Sequence, residues 1–244
     1  MDRTMSTVIV TGTDTEIGKT VTTAAVAAVA LAHGRSVAVL KPAQTGIEAG
    51  EPGDVAEVRR LAGEAVTVAE LARYPDPLAP ATAARRAGRA PVRPREVERE
   101  ARKLAESHDL VLIEGAGGLL VRLDDAGSTL ADVAQLLAAP VLVVARAGLG
   151  TLNAAALTTE ALRSRDLTCL GIVFGSFPHS PDLATRCNLA DMPEVADAPL
   201  IGALPEGAGA LPPADFRAAA AGWLAPALSG TWNANAFAAS LHGA

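Results

Sequence analysis

The chain alternates short runs of β-branched and aliphatic residues with longer alanine-rich segments. Alternation of this kind is typical of βαβ units, which build a parallel sheet covered by helices on both faces. The runs predict strands at residues 7–11, 36–40, 110–113, 141–145 and 170–174, with a short sixth strand at 199–204. We therefore expect an α/β protein with an open, mostly parallel sheet flanked by helices.

The segments between these strands predict the helices. Residues 20–32 are rich in alanine and valine, with Gly34 placed to end a helix, and residues 96–107 form a charged helical stretch. Residues 75–95, rich in proline, alanine and arginine, predict a surface loop or an irregular helix. After Leu211 the chain predicts a packing helix and then a loose tail from about residue 230. No linker divides the 244 residues, so a single domain over residues 1–244 is expected.

The amino-acid composition argues against some classes of function. The net charge is −6 and only 3% of the residues are aromatic, which argues against nucleic-acid binding through basic grooves and stacked rings. The N-terminal residues lack the basic-then-apolar order of a signal peptide, and no uncharged apolar run is long enough to span a membrane. Cys169 and Cys187 fit no metal or disulfide pattern and are interpreted as reduced thiols. We expect a cytoplasmic protein that binds neither nucleic acid nor membrane.

Polar segments follow four of the predicted strands. They are residues 12–20, 41–46, 114–118 and 146–151. Right-handed crossovers bring the carboxyl ends of parallel strands to one edge of the sheet, where open α/β folds bind ligands. The four segments are therefore expected to form a single crevice.

The first of these segments has the pattern of a phosphate-binding loop. A strand leads into Gly12, and Gly18-Lys19-Thr20 then opens a helix, which places backbone N–H groups, a lysine and a Mg²⁺-binding hydroxyl around phosphates. Five residues separate Gly12 from Gly18, one more than the usual pattern allows. The alternative is a glycine turn with a solvated lysine. That alternative leaves unexplained a cation at a helix N-terminus, where only a bound anion makes it favourable.

Three further charged residues extend this site. Lys41 follows a strand and precedes Pro42, so it either neutralises a transferring phosphoryl group or is a strand-end lysine that extends to solvent. Glu114 ends a very apolar strand, where a carboxylate without a cation is costly, and this predicts a Mg²⁺ ligand. Asp54 is either a second metal ligand or a solvated helix N-cap.

The segments 12–20, 41–46 and 114–118, in this order, resemble the dethiobiotin synthetase family, whose own loop form G-T-D-T-E-x-G-K-T contains the extra residue. The resemblance covers about the first 175 residues. It implies a P-loop NTPase type of fold and an ATP- and Mg²⁺-dependent ligase of biotin biosynthesis. The family joins CO₂ or bicarbonate to 7,8-diaminopelargonic acid through a carbamate and a carbamic-phosphoric anhydride, and closes the ring to give dethiobiotin, ADP and phosphate.

The resemblance also implies roles for individual residues. The catalytic residues are Lys41, Lys19 and Thr15, and the metal ligands are Thr20, Asp54 and Glu114. The nucleotide-binding residues are Glu16, Ile17, Gly18, Lys19, Thr20, Val21, Asp54, Glu114, Gly115, Ala116, Gly117, Gly175, Ser176, Pro205, Glu206 and Gly207. The substrate-binding residues are Thr45, Lys41, Gly118, Thr151, Leu152 and Asn153.

Two of these assignments have further consequences. Many family members place an asparagine that reads the purine where this chain has Gly175, so weaker discrimination among nucleoside triphosphates is expected. Thr151 to Asn153 match a segment that binds the substrate carboxylate across a homodimer interface. The residues alone fit an ordinary helix cap equally well, although a helix start does present free N–H groups to an anion.

Two other functions share parts of this pattern. An amidotransferase-like ligase of the same phosphate-loop group would need a glutaminase nucleophile, and neither Cys169 nor Cys187 has a supporting context. A partition-type ATPase, which switches through nucleotide-dependent dimers, usually has a Lys-Gly-Gly loop start and a basic surface for DNA. This chain has Thr13-Asp14-Thr15 and a net charge of −6 instead.

Overall fold

The computed structural model describes residues 7–241. Its strands are β1 (Thr7–Gly12), β2 (Val37–Thr45), β3 (Thr67–Tyr74), β4 (Leu110–Gly118), β5 (Val141–Ala145), β6 (Cys169–Phe177) and β7 (Leu200–Pro205). Its α-helices are α1 (Lys19–Ala32), α2 (Asp54–Ala62), α3 (Pro80–Arg86), α4 (Pro94–Ala105), α5 (Leu130–Leu137), α6 (Thr151–Arg163), α7 (Leu183–Ala196), α8 (Pro213–Ala219) and α9 (Ala234–Ser240).

The strands form one seven-stranded sheet in the order β3-β2-β4-β1-β5-β6-β7. Every pairing between these neighbours is parallel. The order reverses direction around β1, with β4 on one side and β5 on the other, so the loop after β1 begins at the switch point where open α/β folds bind ligands. The predicted α/β fold class is confirmed.

Two apolar cores cover the two faces of the sheet. On β1, Ile9 belongs to the core beneath α3 to α7, whereas Val8 and Val10 belong to the core beneath α1, α2 and α8. Successive strand side chains point to opposite faces, so a strand buried on both faces is a continuous apolar run. Alanine dominates the buried face of α1, which lets that helix lie close to the sheet.

The edge strand β3 was not predicted. Its sequence, TVAELARY, contains Ala, Glu and Arg, which have low strand propensity, and most of it is only half-buried. Strands β2 and β4 also extend beyond their predicted ends, to Thr45 and Gly118, because polar residues and glycines there still pair with neighbouring strands or line the cleft. Helices α5 and α7 were not predicted either, and α3 lies inside the segment expected to be a loop or an irregular helix. Helix α2 begins at Asp54, where a helix N-cap was one of the two interpretations, but the residue that precedes the helix is Gly53.

The segment after residue 230 contains α9. Its Phe237 packs edge-on against Phe177 of β6, with ring centroids 5.0 Å apart, and also contacts Trp232. Residues 242–244, the last of the expected tail, lie outside the described residues, as does the start of the chain on which the expectation about a signal peptide rests. No helix within residues 7–241 has the length and apolar character needed to cross a membrane.

Candidate functional site

A cleft of about 500 Å³ opens at the carboxyl edge of the sheet. Its walls come from the loop after β1, the ends of β2 and β4, the start of α2 and the segment before α3. The lining residues are Thr15, Glu16, Ile17, Gly18, Lys19, Thr20, Val21, Lys41, Ala43, Gln44, Thr45, Ile47, Asp54, Pro77, Leu78, Ala79, Pro80, Glu114, Gly115, Ala116 and Gly117.

The loop after β1 wraps around the N-terminus of α1. Gly18, the residue before the helix, has a φ of 90°, in the left-handed region that glycine adopts without strain. The Lys19 side chain is buried and curls back so that Nζ donates a hydrogen bond to the Asp14 carbonyl at 2.7 Å. Burial, together with the positive charge of Lys41, lowers the pKa of Lys19. The loop thus directs a cation and helix N–H groups at one place, which suits an anion.

Lys41 lies on β2 and bridges two carboxylates. Its Nζ is 2.5 Å from Asp54 Oδ2, 2.9 Å from Glu114 Oε1 and 3.1 Å from the Gly115 carbonyl oxygen. Burial alone would lower the pKa of Lys41, but the charges of Glu114 and Asp54 outweigh it and raise that pKa. Lys41 therefore stays a cation at neutral pH, although only 2% of it is exposed.

The carboxylate pair and a hydroxyl group fit a magnesium ion. Thr20 Oγ1 donates a hydrogen bond to Glu114 Oε1 at 2.9 Å, so the hydroxyl and both carboxylates meet around Lys41 Nζ. The second oxygen of Glu114, Oε2, is buried and has no hydrogen-bond partner, which leaves a free ligand position. The described residues contain no cluster of three or more His, Cys, Asp or Glu suited to a metal. A site of two carboxylates and a hydroxyl suits Mg²⁺, because that ion keeps several waters and takes few protein ligands.

Backbone packs directly against backbone where β6 meets the phosphate loop. A Cβ atom on Gly175 would lie 2.1 Å from the Ile17 carbonyl oxygen, and one on Gly18 would lie 2.3 Å from the Gly175 carbonyl oxygen. Both distances are far below van der Waals contact, so neither position admits a side chain unless the loop moves. This contact explains the glycine at position 175 by packing.

The structure brings most of the predicted site residues together. Thr15 to Val21, Lys41, Thr45, Asp54 and Glu114 to Gly117 all line the cleft, and Gly118 ends the same strand as Glu114. Ser176, near the end of β6, and Glu206 and Gly207, just after β7, are exposed and lie outside the cleft lining, and Gly175 and Pro205 do not line it either.

The segment Thr151 to Asn153 begins α6 and does not line the cleft of its own chain. The Thr151 hydroxyl donates a hydrogen bond to the Arg146 carbonyl at 2.6 Å, so this side chain stabilises the start of the helix locally. Nearby, Arg146 contacts the phosphate loop at Asp14 Oδ2 and the Thr15 carbonyl, each at 3.3 Å.

Sequence reasoning missed one wall of the cleft. The wall consists of Ile47 and the segment Pro77 to Pro80. Gln44 also lines the cleft and lies within the predicted segment 41–46, but it was not predicted to be a site residue. The loop after a parallel strand returns to the same edge of the sheet, so recognising β3 would have placed residues 77–80 beside the site. The low strand propensity of β3 removed that signal.

The fold and the site together define a P-loop NTPase. A solved ParA-family ATPase from Chlorobium tepidum has the same fold, with a TM-score of 0.55 over 88% of this chain and 91% of that chain at 14% identity. A family model described as an AAA domain matches residues 6–213.

Curated relatives identify the family within this class. ATP-dependent dethiobiotin synthetase BioD from Streptomyces avermitilis is 68% identical over 97% of this chain and 99% of its own length. The protein of the same name from Saccharopolyspora erythraea is 69% identical over 94% of this chain and 100% of its own length. The chain belongs to the ATP-dependent dethiobiotin synthetase family. The predicted resemblance is confirmed, and with it a ligase of biotin biosynthesis that uses ATP.

Proposed function

We propose that this chain makes dethiobiotin from 7,8-diaminopelargonic acid, CO₂ or bicarbonate and ATP, and that the reaction takes place in the cleft around Lys41. The observation that carries the assignment of this site is the pair of buried lysines. Lys19 and Lys41 reach one cleft from two different elements, and in that cleft Lys41 pairs with the carboxylates of Asp54 and Glu114.

The first step forms a carbamate. One amine of the diamine attacks the carbon of CO₂, a C–N bond forms, and the nitrogen loses a proton to solvent. The product is an anion, and we assign its stabilisation to the Lys41 ammonium, one of the two buried lysines of the cleft. Thr45 lines the same cleft, which supports a role for this residue in orienting the diamine.

The second step activates the carbamate. One carbamate oxygen attacks the γ-phosphorus of ATP while the bond to the β,γ-bridging oxygen breaks, so ADP leaves and a carbamic-phosphoric anhydride forms. The phosphate loop and Lys19 hold the phosphates in position, and Thr15 lies on the same loop facing the cleft. Positioning and charge stabilisation supply most of the catalysis in phosphoryl transfer.

The third step closes the ring. The second amine attacks the anhydride carbon, the C–O bond to phosphate breaks, and phosphate leaves as the nitrogen releases a proton. Thr20, Asp54 and Glu114 would hold Mg²⁺, which supplies positive charge to the phosphate oxygens when bound. The unpartnered Glu114 Oε2 supports this assignment.

We expect the protein to bind the base of the nucleotide more weakly than its phosphates. Gly175, Ser176, Pro205, Glu206 and Gly207 are the residues proposed to contact it. Because Gly175 has no room for a side chain, contacts there come from the backbone only, and other nucleoside triphosphates are expected to replace ATP. Similar kcat/KM values for ATP, CTP and GTP would support this proposal, and a strong preference for ATP would refute it.

We also propose a homodimer with the substrate site at its interface. Thr151, Leu152 and Asn153 lie outside the cleft of their own chain, so they would reach a substrate only across a second copy. Large apolar side chains are exposed on the same side, at Leu149 (91%) and Leu157 (57%). Exposed apolar patches of this kind are typical of protein interfaces.

A cytoplasmic location stays a prediction.

The test is a defined reaction mixture. The protein is incubated with 7,8-diaminopelargonic acid, bicarbonate, Mg²⁺ and ATP, and dethiobiotin and phosphate are measured together. We expect one phosphate for each dethiobiotin, and no phosphate above background when the diamine is left out. A mixture that yields phosphate without dethiobiotin, or neither product, would refute the proposal.

A further inference from the structure

The loop between β2 and α2 determines where the Asp54 carboxylate lies. Two residues of adjacent strands, Arg73 and Gln44, bind this loop and the start of α2. Arg73 of β3 donates hydrogen bonds to the carbonyl oxygens of Glu48, at 3.2 Å, and of Glu51. Arg73 is itself fixed by a two-point ion pair with Glu70, at 2.8 and 2.9 Å. The far end of the loop, where α2 begins, is held by Gln44 of β2.

Gln44 caps α2 from outside the helix. Its side chain is 4% exposed, and its Oε1 accepts a hydrogen bond from the Asp54 backbone N–H at 2.9 Å. The residue before the helix, Gly53, has no side chain and supplies no cap of its own. A helix leaves its first N–H groups without partners, so Gln44 satisfies a group that the loop cannot.

Two residues of β2 therefore bind Asp54. Lys41 Nζ pairs with the Asp54 carboxylate, and Gln44, three residues later, binds the backbone N–H of the same residue. Gly53 fits this arrangement closely, because a Cβ atom there would lie 2.7 Å from Gln44 Oε1.

We infer that Gln44 is a positioning residue for the metal site: by capping α2 it places the Asp54 carboxylate beside Glu114. This inference rests on the proposed metal site and adds to it a residue that touches neither metal nor phosphate in that proposal. Residues that orient metal ligands commonly change metal affinity about 10- to 100-fold when they are replaced.

Gln44→Met tests the inference, because methionine matches the length of glutamine but cannot accept the Asp54 N–H. Mn²⁺ is titrated into the ADP-loaded protein and followed by electron paramagnetic resonance. We expect the Mn²⁺ Kd to rise about tenfold or more. The matched control is Gln135→Met, since Gln135 is an exposed residue whose Nε2 bonds to the Arg165 carbonyl, and its Kd should equal that of the wild type.

Gly53→Ala provides a second route to the same result and decides the matter where Gln44→Met does not fold. Its methyl group would lie 2.7 Å from Gln44 Oε1 and 2.9 Å from Arg73 Nη2, so it would displace the ends of both side chains while leaving both residues present, and the Mn²⁺ Kd should again rise. In activity assays, the half-saturating Mg²⁺ concentration should rise by a similar factor without a matching rise in KM for the diamine.

Unchanged Mn²⁺ affinity in a folded Gln44→Met or Gly53→Ala protein would overturn the inference. The Mn²⁺ titration requires no turnover. A failure to make dethiobiotin would therefore count against the proposed function alone, and unchanged metal affinity would count against the role of Gln44 alone.

Discussion

Around β1, β2 and β4 the edge of the sheet holds buried charges, whereas beyond β5 and β6 the same edge presents exposed leucines and backbone. In the first region Lys19, Lys41 and Glu114 are each less than 10% exposed and contact one another or the loop through short polar contacts. In the second, Leu149 is 91% exposed and the Thr151 hydroxyl donates a hydrogen bond to the Arg146 carbonyl. The first region holds, within one chain, the groups that we propose bind phosphate and metal. The second region is the proposed interface with a second copy of the chain.

The largest effect is expected at the centre of the charged region. Lys41→Met removes the cation proposed to stabilise the carbamate and should lower kcat by about 100- to 1000-fold or more. Steady-state dethiobiotin formation measures it. Lys103→Met, the same change at an exposed lysine of α4, should leave kcat unchanged. Activity near that of the wild type in Lys41→Met would remove this lysine from the chemistry.

A substitution at the contact between β6 and the phosphate loop should have the next largest effect. Gly175→Asn places a side chain where the Ile17 carbonyl oxygen lies, so the loop must move and ATP affinity should fall about tenfold or more. Calorimetric titration of a non-hydrolysable ATP analogue measures the change. Gly222→Ala, at a glycine with open space around it, should bind the analogue normally. Tighter binding with a gain in ATP preference in Gly175→Asn would contradict the packing explanation.

The buried lysine also predicts how stability depends on pH. The pKa of Lys41 is raised in the folded protein, so the ion pairs stabilise the fold fully below about pH 10.5, the usual lysine value. That stabilisation is lost as pH rises through the higher folded-state pKa. Lys41→Met leaves two carboxylates without their cation and should lower the free energy of unfolding at pH 7 by about 3–5 kcal/mol. Urea unfolding should show this deficit shrinking at strongly alkaline pH; a constant deficit would argue against the pairing.

A substitution in the exposed region should change the oligomeric state instead. Leu157→Glu adds a charge to the proposed interface and should convert a dimer into a monomer, with KM for the diamine rising about tenfold. ATP affinity, which depends on the charged region, should change less than about twofold. Sedimentation measures the mass, and Ala239→Glu, on the exposed face of α9, is the control. A monomeric wild type with normal diamine affinity would refute the two-chain site.

The smallest effect is expected where the two regions touch. Arg146 and Asp14 form an ion pair at 3.3 Å in which both side chains are more than half exposed. Exposed pairs contribute little, so Arg146→Met should shift the melting temperature by less than about 3 °C. A shift as large as that of Lys41→Met would mean that burial does not separate the two regions.

The sequence predicted those parts of the molecule where local chemistry is distinctive. Strands β1, β4 and β5 each contain a continuous apolar run because both of their faces are buried. Glu114 and Lys41 stood out because a charge at the end of such a run needs a partner.

The sequence could not predict features that depend on tertiary contact. Strand β3 has low propensity and is held by pairing with β2, so its register, with Lys41 opposite Glu70, is invisible locally. Nothing in the sequence around Gln44 indicates a role for its side chain. The role depends on the fold of the following loop, which brings the Asp54 N–H to Gln44 Oε1. The exposed leucines of the second region become informative only once burial is known.

A single-turnover reaction with ¹⁸O-labelled CO₂ in ordinary water shows whether dethiobiotin forms through the proposed carbamate. If a carbamate oxygen attacks the γ-phosphorus in this cleft, one ¹⁸O atom leaves in inorganic phosphate and the other stays in the ureido carbonyl of dethiobiotin. Mass spectrometry of both products, quenched before CO₂ exchanges with water, reads the two positions. We expect label in both products; unlabelled phosphate formed together with dethiobiotin would contradict the carbamate mechanism.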